Sequence, residues 1–508
     1  MLARSGCEIT REGSKNYSSP QTMDSAADQS PPVRKHPSAS KWKQLLFWGP
    51  AVVTLLLAFC LTVSFPLSHL TLAYLSLFSR AQEEESRSIS TRPPCVRWMA
   101  PFVSGGGYSS EAWSYVTALD AHIKDPNFKL QIEQHGDLES IEFWLGLPEE
   151  SRALALKLYN TRCDLSKSIV ICHSEPGAWF PPLFQTLPCP PGGYEEPVFV
   201  IGRTMFETDR LTPEHVKRCN KMDAIWVPTE FHVSTFVQSG VDPSKVVKVV
   251  QPIDVDFFDP AKHEALVLPV GDPVLVSKRS NYSSSSTRKE IVLLSIFKWE
   301  QRKGWDVLLR AFLEEFSNSD GVALHLLISA YHSDKDFSSK IHNFVDEFGM
   351  KEPISGWAPI HVIDSHIPQS DLPRLYKAAD AFVLPSRGEG WGRPIVEAMA
   401  MALPVIATNW SGPTEYLTEE NGYPLGVDQM SEVMEGPFKG HLWAEPSSDR
   451  LRILMRHVVS NREEAARRGR RAREDMITRF SPKVVARLVA DRIQDMMLKN
   501  ASDSRIGR

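Results

Sequence analysis

The sequence predicts an α/β protein made of two doubly wound, Rossmann-like domains facing a cleft, preceded by one transmembrane helix. Three observations predict it. From about Val96 onward, short apolar runs alternate with helical stretches, which is the rhythm of parallel sheets covered by helices. That rhythm breaks at the serine-rich run 277–289 and then begins again. Ahead of both series, no Asp, Glu, Lys or Arg occurs between Lys43 and Arg80.

A chain of 508 residues with 42% hydrophobic content has room for more than one domain and a substantial core. Its net charge of −5, without a basic domain, zinc-ligand spacing or basic-aromatic stripe, excludes nucleic acid as a partner class. Residues 1–43, rich in Ser, Pro and charge, read as a disordered cytosolic tail. Residues 44–80 read as the membrane anchor, since the apolar run from Leu45 to Phe65 is long enough to cross a bilayer as a helix. A long polar leader precedes it and no small-residue cleavage site follows, which separates it from a cleaved signal peptide. Arg34, Lys35, Lys41 and Lys43 lie before it, and Glu83, Glu84 and Glu85 after it. The positive-inside rule then leaves the N-terminus in the cytosol and the main domains in the lumen, as in a single-pass type II membrane protein of the Golgi or endoplasmic reticulum.

Residues 81–95 form the stem of this expected arrangement. On the lumenal side stand Cys95, Cys163, Cys172, Cys189 and Cys219, an odd set that leaves at least one thiol unpaired within the chain and does not reveal the pairing. Of four Asn-x-Ser sequons, at Asn16, Asn281, Asn409 and Asn500, the best acceptor is Asn281 in its serine-rich stretch. Asn409, between two glycine-containing loops, is expected to stay bare because a glycan there would block a ligand.

The N-terminal domain is expected over 96–276, with strands at Val96–Val103, Ser168–His173, Pro197–Gly202, Ala224–Pro228 and Val246–Gln251. Helices intervene at Glu111–Ala121, Pro213–Lys221 and Glu230–Ser239. The run 277–289 reads as the interdomain loop, and 290–460 as the C-terminal domain. Strands there are Ile291–Phe297, Ala323–Ala330, His361–Ile363, Ala381–Pro385 and Pro404–Ala407, with helices at Trp305–Phe316, Ser338–Phe348, Ser370–Ala378 and Pro394–Ala402. Residues 461–508 close the chain as charged helices and a tail.

The most informative stretch runs from Arg387 to Glu397, where Glu389 and Glu397 stand eight apart around Gly388, Gly390 and Gly392. An apolar strand precedes it, and Pro394 suits the first position of a helix. A glycine loop opening a helix presents free N–H groups and partial positive charge to a phosphate, while a nearby carboxylate accepts from sugar hydroxyls. A second loop, Ser411-Gly412-Pro413-Thr414-Glu415, follows the next apolar run. Taken singly these residues have ordinary structural explanations; together they describe a sugar-nucleotide site.

With Ile225-Trp226-Val227-Pro228-Thr229-Glu230-Phe231, Ile253-Asp254-Val255-Asp256, Lys303-Gly304-Trp305-Asp306 and Leu375-Tyr376-Lys377-Ala378-Ala379-Asp380, the motif resembles family 4 of the glycosyltransferases, retaining enzymes of GT-B fold. The resemblance spans about 96–495 and is stronger in the second domain. It implies that Glu397 binds the donor ribose, that Glu389 contacts the transferred sugar, and that Lys298 and Lys303 hold the donor diphosphate. Fixed cations there stabilise the charge that develops on the leaving nucleotide. Lys298 stands where the family usually carries arginine, so a point charge replaces a bidentate contact. Gly106 and Gly107 resemble the first-domain loop near the donor phosphates, and His173 resembles a histidine near the sugar; Arg203 and Glu207 are weaker candidates of the same kind.

The implied activity is a hexosyltransferase-like, retaining and metal-independent transfer from a UDP- or GDP-sugar to a hydroxyl of a glycan, lipid or protein acceptor. No further cofactor and no metal site is expected; Asp254 and Asp256 fall in the hinge-like run rather than in a metal motif. Two other classes fit parts of the sequence. One is a noncatalytic partner subunit or sugar-binding protein on the same fold, against which the retained carboxylates and lysines count. The other is a nucleotide-sugar epimerase, which does not account for the hinge and donor motifs together.

Overall fold

Two six-stranded parallel sheets organise the chain, each covered by helices on both faces. The computed structural model describes residues 95–506 apart from 127, 193–195, 269–272, 276–289, 330–335 and 364–366. The expected tail 1–43, anchor 44–80 and nearly all of the stem 81–95 lie outside the described residues. Among the described residues no helix is long and apolar enough to cross a membrane.

The first sheet contains β1 Cys95–Ala100, β2 Lys129–Gln134, β3 Ser168–His173, β4 Phe199–Arg203, β5 Ala224–Val227 and β6 Val246–Lys248, in the order β2-β1-β3-β4-β5-β6. The second contains β7 Ile291–Lys298, β8 Val322–Ser329, β9 Ile360–Ile363, β10 Ala381–Leu384, β11 Val405–Thr408 and β12 Tyr423–Leu425, in the order β12-β11-β10-β7-β8-β9. Every neighbouring pair within these sheets is parallel. All six residues of β3 and all four of β10 are buried, as strands covered on both faces require. Strand order reverses between β1 and β3 in the first sheet and between β7 and β10 in the second. The loops after these strands are where such sheets bind ligands.

β2 escapes the sequence reading because Lys129-Leu130-Gln131-Ile132-Glu133-Gln134 alternates with polar residues, as an edge strand does. The helices Ile141–Gly146 and Glu149–Tyr159 beyond it were likewise not anticipated. Nor was the antiparallel hairpin of β13 Val427–Glu432 and β14 Leu442–Pro446, which stands apart from both sheets.

The expected domain boundary at 277–289 is corrected by the packing. Ile253, Val255, Phe258 and Leu275 are buried in the core built around β7 to β11, whereas Val249 belongs to the core of the first sheet. The chain therefore crosses between domains just after β6, and 277–289, itself outside the described residues, interrupts the second domain. The sequence misleads here because a serine-rich run marks exposure, not which core its flanks join. The tail 461–508 also divides. Helix Arg462–Phe480 packs in the second core, and Phe480 O accepts from Ile253 N at 2.9 Å where the two crossings meet. Helix Pro482–Ile506 returns to the first domain, inserting Val485, Ala486, Val489 and Ile493 into its core against helix Gly107–His122.

Two disulfides complete the first domain, Cys95–Cys163 and Cys172–Cys189, each with 5.6 Å between Cα atoms. Cys219 is the remaining buried thiol among the described cysteines.

Candidate functional site

Between the domains lies a cavity of about 940 Å³, built from loops at the C-terminal ends of strands in both sheets. The first domain contributes Gly107, Tyr108, Asp137, Glu175 and the segment Met205–Glu207. Opposite them stand Lys298 at the end of β7, Arg302 and Lys303 in the turn after it, and the glycine loop after β10.

The glycine loop is held from three sides. Arg387 roots it, donating to Asp306 Oδ1 and Oδ2 at 2.8 and 2.7 Å and to Glu445 Oε1 and Oε2 at 2.7 and 2.9 Å. Gly388 lies so close to the first domain that a Cβ would come 2.1 Å from Glu207 O, which only glycine avoids. Gly392, at φ +87°, turns the chain into helix Arg393–Ala400, and Pro394 sits in that helix's first turn. Gly392, Arg393 and Pro394 line the cavity, so the N-terminal end of this helix borders it. Ser411 Oγ accepts from Glu389 N at 3.0 Å, and Gly412 N donates to Glu389 O at 2.9 Å. Gly412 thus supports the loop from behind rather than meeting a ligand.

Charge converges on Glu389. Lys303 Nζ donates to its Oε1 at 2.7 Å and Oε2 at 2.9 Å. Arg302 Nη1 donates to Gly388 O at 2.8 Å and lies 3.5 Å from Glu389 Oε2. Burial alone would raise the Glu389 pKa, but the two cations hold it below the ordinary carboxylate range. Glu389 is therefore an ionised acceptor, suited to sugar hydroxyls and not to protonating a leaving group. Glu397 differs. Burial pushes its pKa up against the pull of Arg393, and Tyr376 OH donates to its Oε2 at 3.0 Å. One turn into the helix and behind Arg393, it keeps 12% of its side chain exposed. Lys298 lines the cavity, and its charge opposes the rise that burial and Glu175 impose on Asp137 across the cleft.

Of the expected site residues, Glu389, Lys303, Lys298, Gly107, Gly390 and Gly392 line one cavity. Gly106 stands just outside it as the residue before helix Gly107–His122. His173 and Glu415 are placed otherwise. His173 is fully buried beneath the cleft: Trp98 Nε1 donates to its Nδ1 at 3.0 Å, and its Nε2 donates to Glu111 Oε2 at 2.9 Å. Both ring nitrogens are thereby used, so it orders the floor and offers the sugar no free donor. Arg203 belongs to the same network, donating from Nε to Glu111 Oε1 at 2.9 Å and from Nη1 to Val249 O at 2.7 Å. Glu415 faces the first domain behind the glycine loop, where its Oε1 accepts from Lys248 Nζ at 2.9 Å and its Oε2 from Glu230 N at 3.1 Å. It clasps the domains together and does not line the cavity.

Asp254 Oδ1 accepts from Asp256 N at 3.1 Å and Phe257 N at 2.9 Å, a turn of the crossing segment. Asn409 is exposed beside Leu417, Pro424 and Arg450, on a surface hollow apart from the cleft, so a glycan there would not enter it. Sequence reasoning missed Arg302, Arg393, Tyr108, Asp137 and Glu175. Arg393 lies within the glycine-rich stretch 387–397 and Arg302 adjoins Lys303, but the other three carry no local signal.

Two Rossmann-like domains with facing strand ends and a final helix that crosses back define the GT-B fold. Residues 288–435 match the family model described as glycosyl transferases group 1. The crystal structure of Anabaena Alr3699/HepE in complex with UDP and glucose superposes with a TM-score of 0.52 at 14% identity, covering 79% of this chain and 100% of that one. The mannosylfructose-phosphate synthase of Agrobacterium fabrum is 27% identical over 155 residues, 29% of this chain and 33% of the relative. The D-inositol 3-phosphate glycosyltransferase of Segniliparus rotundus is 27% identical over 231 residues, 44% of each chain. The chain thus spans less than half the length of these two curated relatives.

Proposed function

We propose that the protein is a retaining glycosyltransferase that moves a sugar from a nucleotide-sugar donor, a UDP- or GDP-sugar, to an acceptor hydroxyl. One observation carries the reading: Lys298, Arg302 and Lys303 stand in the same interdomain cavity as a glycine loop that opens a helix and presents an ionised glutamate. The cations and the helix amides suit a diphosphate, and Glu389 suits the hydroxyls of the attached sugar. UDP in the similar HepE complex and the match to glycosyl transferases group 1 support the donor class.

Glu389 is tied to Lys303, so it is not a free nucleophile on the sugar. The reaction proposed is the front-face one that the family resemblance implies, in which the departing phosphate takes the acceptor proton and the acceptor attacks the face the nucleotide leaves. Glu397 is assigned to the donor ribose, and Ile367, which lines the cavity, to the region of the base. The acceptor enters over Asp137 and Glu175 of the first domain.

The setting proposed is a single-pass type II membrane protein of the Golgi or endoplasmic reticulum with lumenal domains. Two disulfides support it, since such bonds persist in oxidising compartments. A screen of UDP- and GDP-sugars by thermal shift, followed by measurement of nucleoside diphosphate release, tests the activity. A donor that raises Tm and is consumed is expected; no shift and no release across the panel would leave the noncatalytic partner reading in its place.

A further inference from the structure

A second cluster of chemistry-bearing side chains lies outside the cleft, in the body of the donor-domain sheet. His325 in β8 and His361 in β9 are register partners, so their side chains leave the same face of adjacent strands. Both are buried, at 0% and 1% exposure, and their rings stack with centroids 4.6 Å apart. Glu290, the residue before β7, brings a carboxylate to them: one ligand atom from each of the three residues lies within 4.8 Å of the others.

The energetics of His325 make this more than a coincidence of placement. Neither of its ring nitrogens has a hydrogen-bond partner, although the side chain is wholly inside. A buried polar group left unsatisfied is rare in native proteins, and where one occurs an ion or a water is the usual explanation.

We propose that Glu290, His325 and His361 form a three-ligand zinc site that fastens the start of β7 to β8 and β9. Two neutral imidazoles and one carboxylate carry a single negative charge, which a divalent cation offsets, and a nitrogen-rich set with one oxygen selects zinc over magnesium or calcium. Tetrahedral zinc holds ligand atoms roughly 3.3 Å apart, so the stacked rings splay slightly to converge on it, with water in the fourth position. None of the three residues lines the interdomain cavity, so the metal has no part in sugar transfer.

The test is metal analysis of the full-length chain, purified without chelator and dialysed against low-micromolar zinc. About one zinc per chain is expected, with a Tm that falls on EDTA treatment and recovers with zinc. His325→Leu, which fills the same space with an apolar group, and Glu290→Gln, at the margin of the core, should each lose the zinc and the EDTA response. The half-buried position keeps Glu290→Gln informative even if His325→Leu fails to fold. Cobalt in place of zinc should give visible absorption of tetrahedral type in the wild type alone. Less than about a tenth of an equivalent of zinc in the wild type overturns the proposal, and so does zinc retained in full by Glu290→Gln.

Discussion

Glu389 is where the charges of the cleft meet, and Lys303 is the cation bound to it most closely. If Lys303 also stabilises a departing diphosphate, Lys303→Ala should lower turnover by roughly 10²-fold while the donor still raises Tm. Nucleoside diphosphate release within about threefold of wild type would remove Lys303 from that role. Glu389→Gln keeps the shape, removes the charge and takes Lys303's partner away; if Glu389 contacts the transferred sugar as proposed, turnover should fall without loss of fold, as read by circular dichroism. These two residues were legible in the sequence because their meaning is local, a carboxylate in a glycine loop and a lysine just past a strand. His173 was not, because a histidine at a strand end looks the same whether it faces a ligand or Trp98 and Glu111 beneath the floor.

At the scale of elements, the glycine loop is fixed by clearance as much as by chemistry. Gly388→Ala would drive a Cβ against Glu207 O, and the loop can only yield by parting the domains. Loss of the donor-induced Tm shift with unchanged secondary structure is the expected outcome; a donor response equal to wild type would show that the contact is not kept in solution. The Cys95–Cys163 bond joins the start of β1 to the segment before β3 across 68 residues. Replacing both with serine should cost about 2–5 kcal/mol, measured by denaturant unfolding under non-reducing conditions. The hairpin of β13 and β14 was invisible to sequence pattern because its work is done at a distance. Leu442 N donates to Asp209 Oδ1 at 2.7 Å, and Phe438 packs edge-on to Phe206 with ring centroids 5.4 Å apart, both across the domain boundary.

For the molecule as a whole, the two domains are tied by more than the cleft. The final helix supplies Val485, Ala486, Val489 and Ile493 to the first core, so a chain ending at Ser481 should leave that core open and aggregate or lose its cooperative unfolding. Stability should also depend on pH in a defined window. Burial lowers the pKa of His135 and of His232 to about 4, from the ordinary 6.5. A histidine that folds in its neutral form contributes fully above its unfolded pKa, and the contribution is lost as pH falls from 6.5 toward 4. Glu111, held at about 2 by Arg203 and His173 against its burial, extends the loss below the ordinary 4.5. Tm should therefore fall steadily from about pH 6.5 to about pH 4, and a flat profile over that range would contradict the buried neutral histidines.

By itself the sequence determined what is local: two α/β series, the glycine loop with Glu389 and Glu397, and the basic turn at Lys303, since strand and helix periodicity and turn chemistry are written within a few residues. Tertiary structure alone decided which core each segment joins, moving the domain crossing from the serine run to the residues after β6 and carrying the last helix back to the first domain. It also decided that His173 and Glu415 brace the site while Arg302, Asp137 and Glu175 line it. Burial and partnership between residues far apart in sequence set those roles, and no short stretch of residues records them.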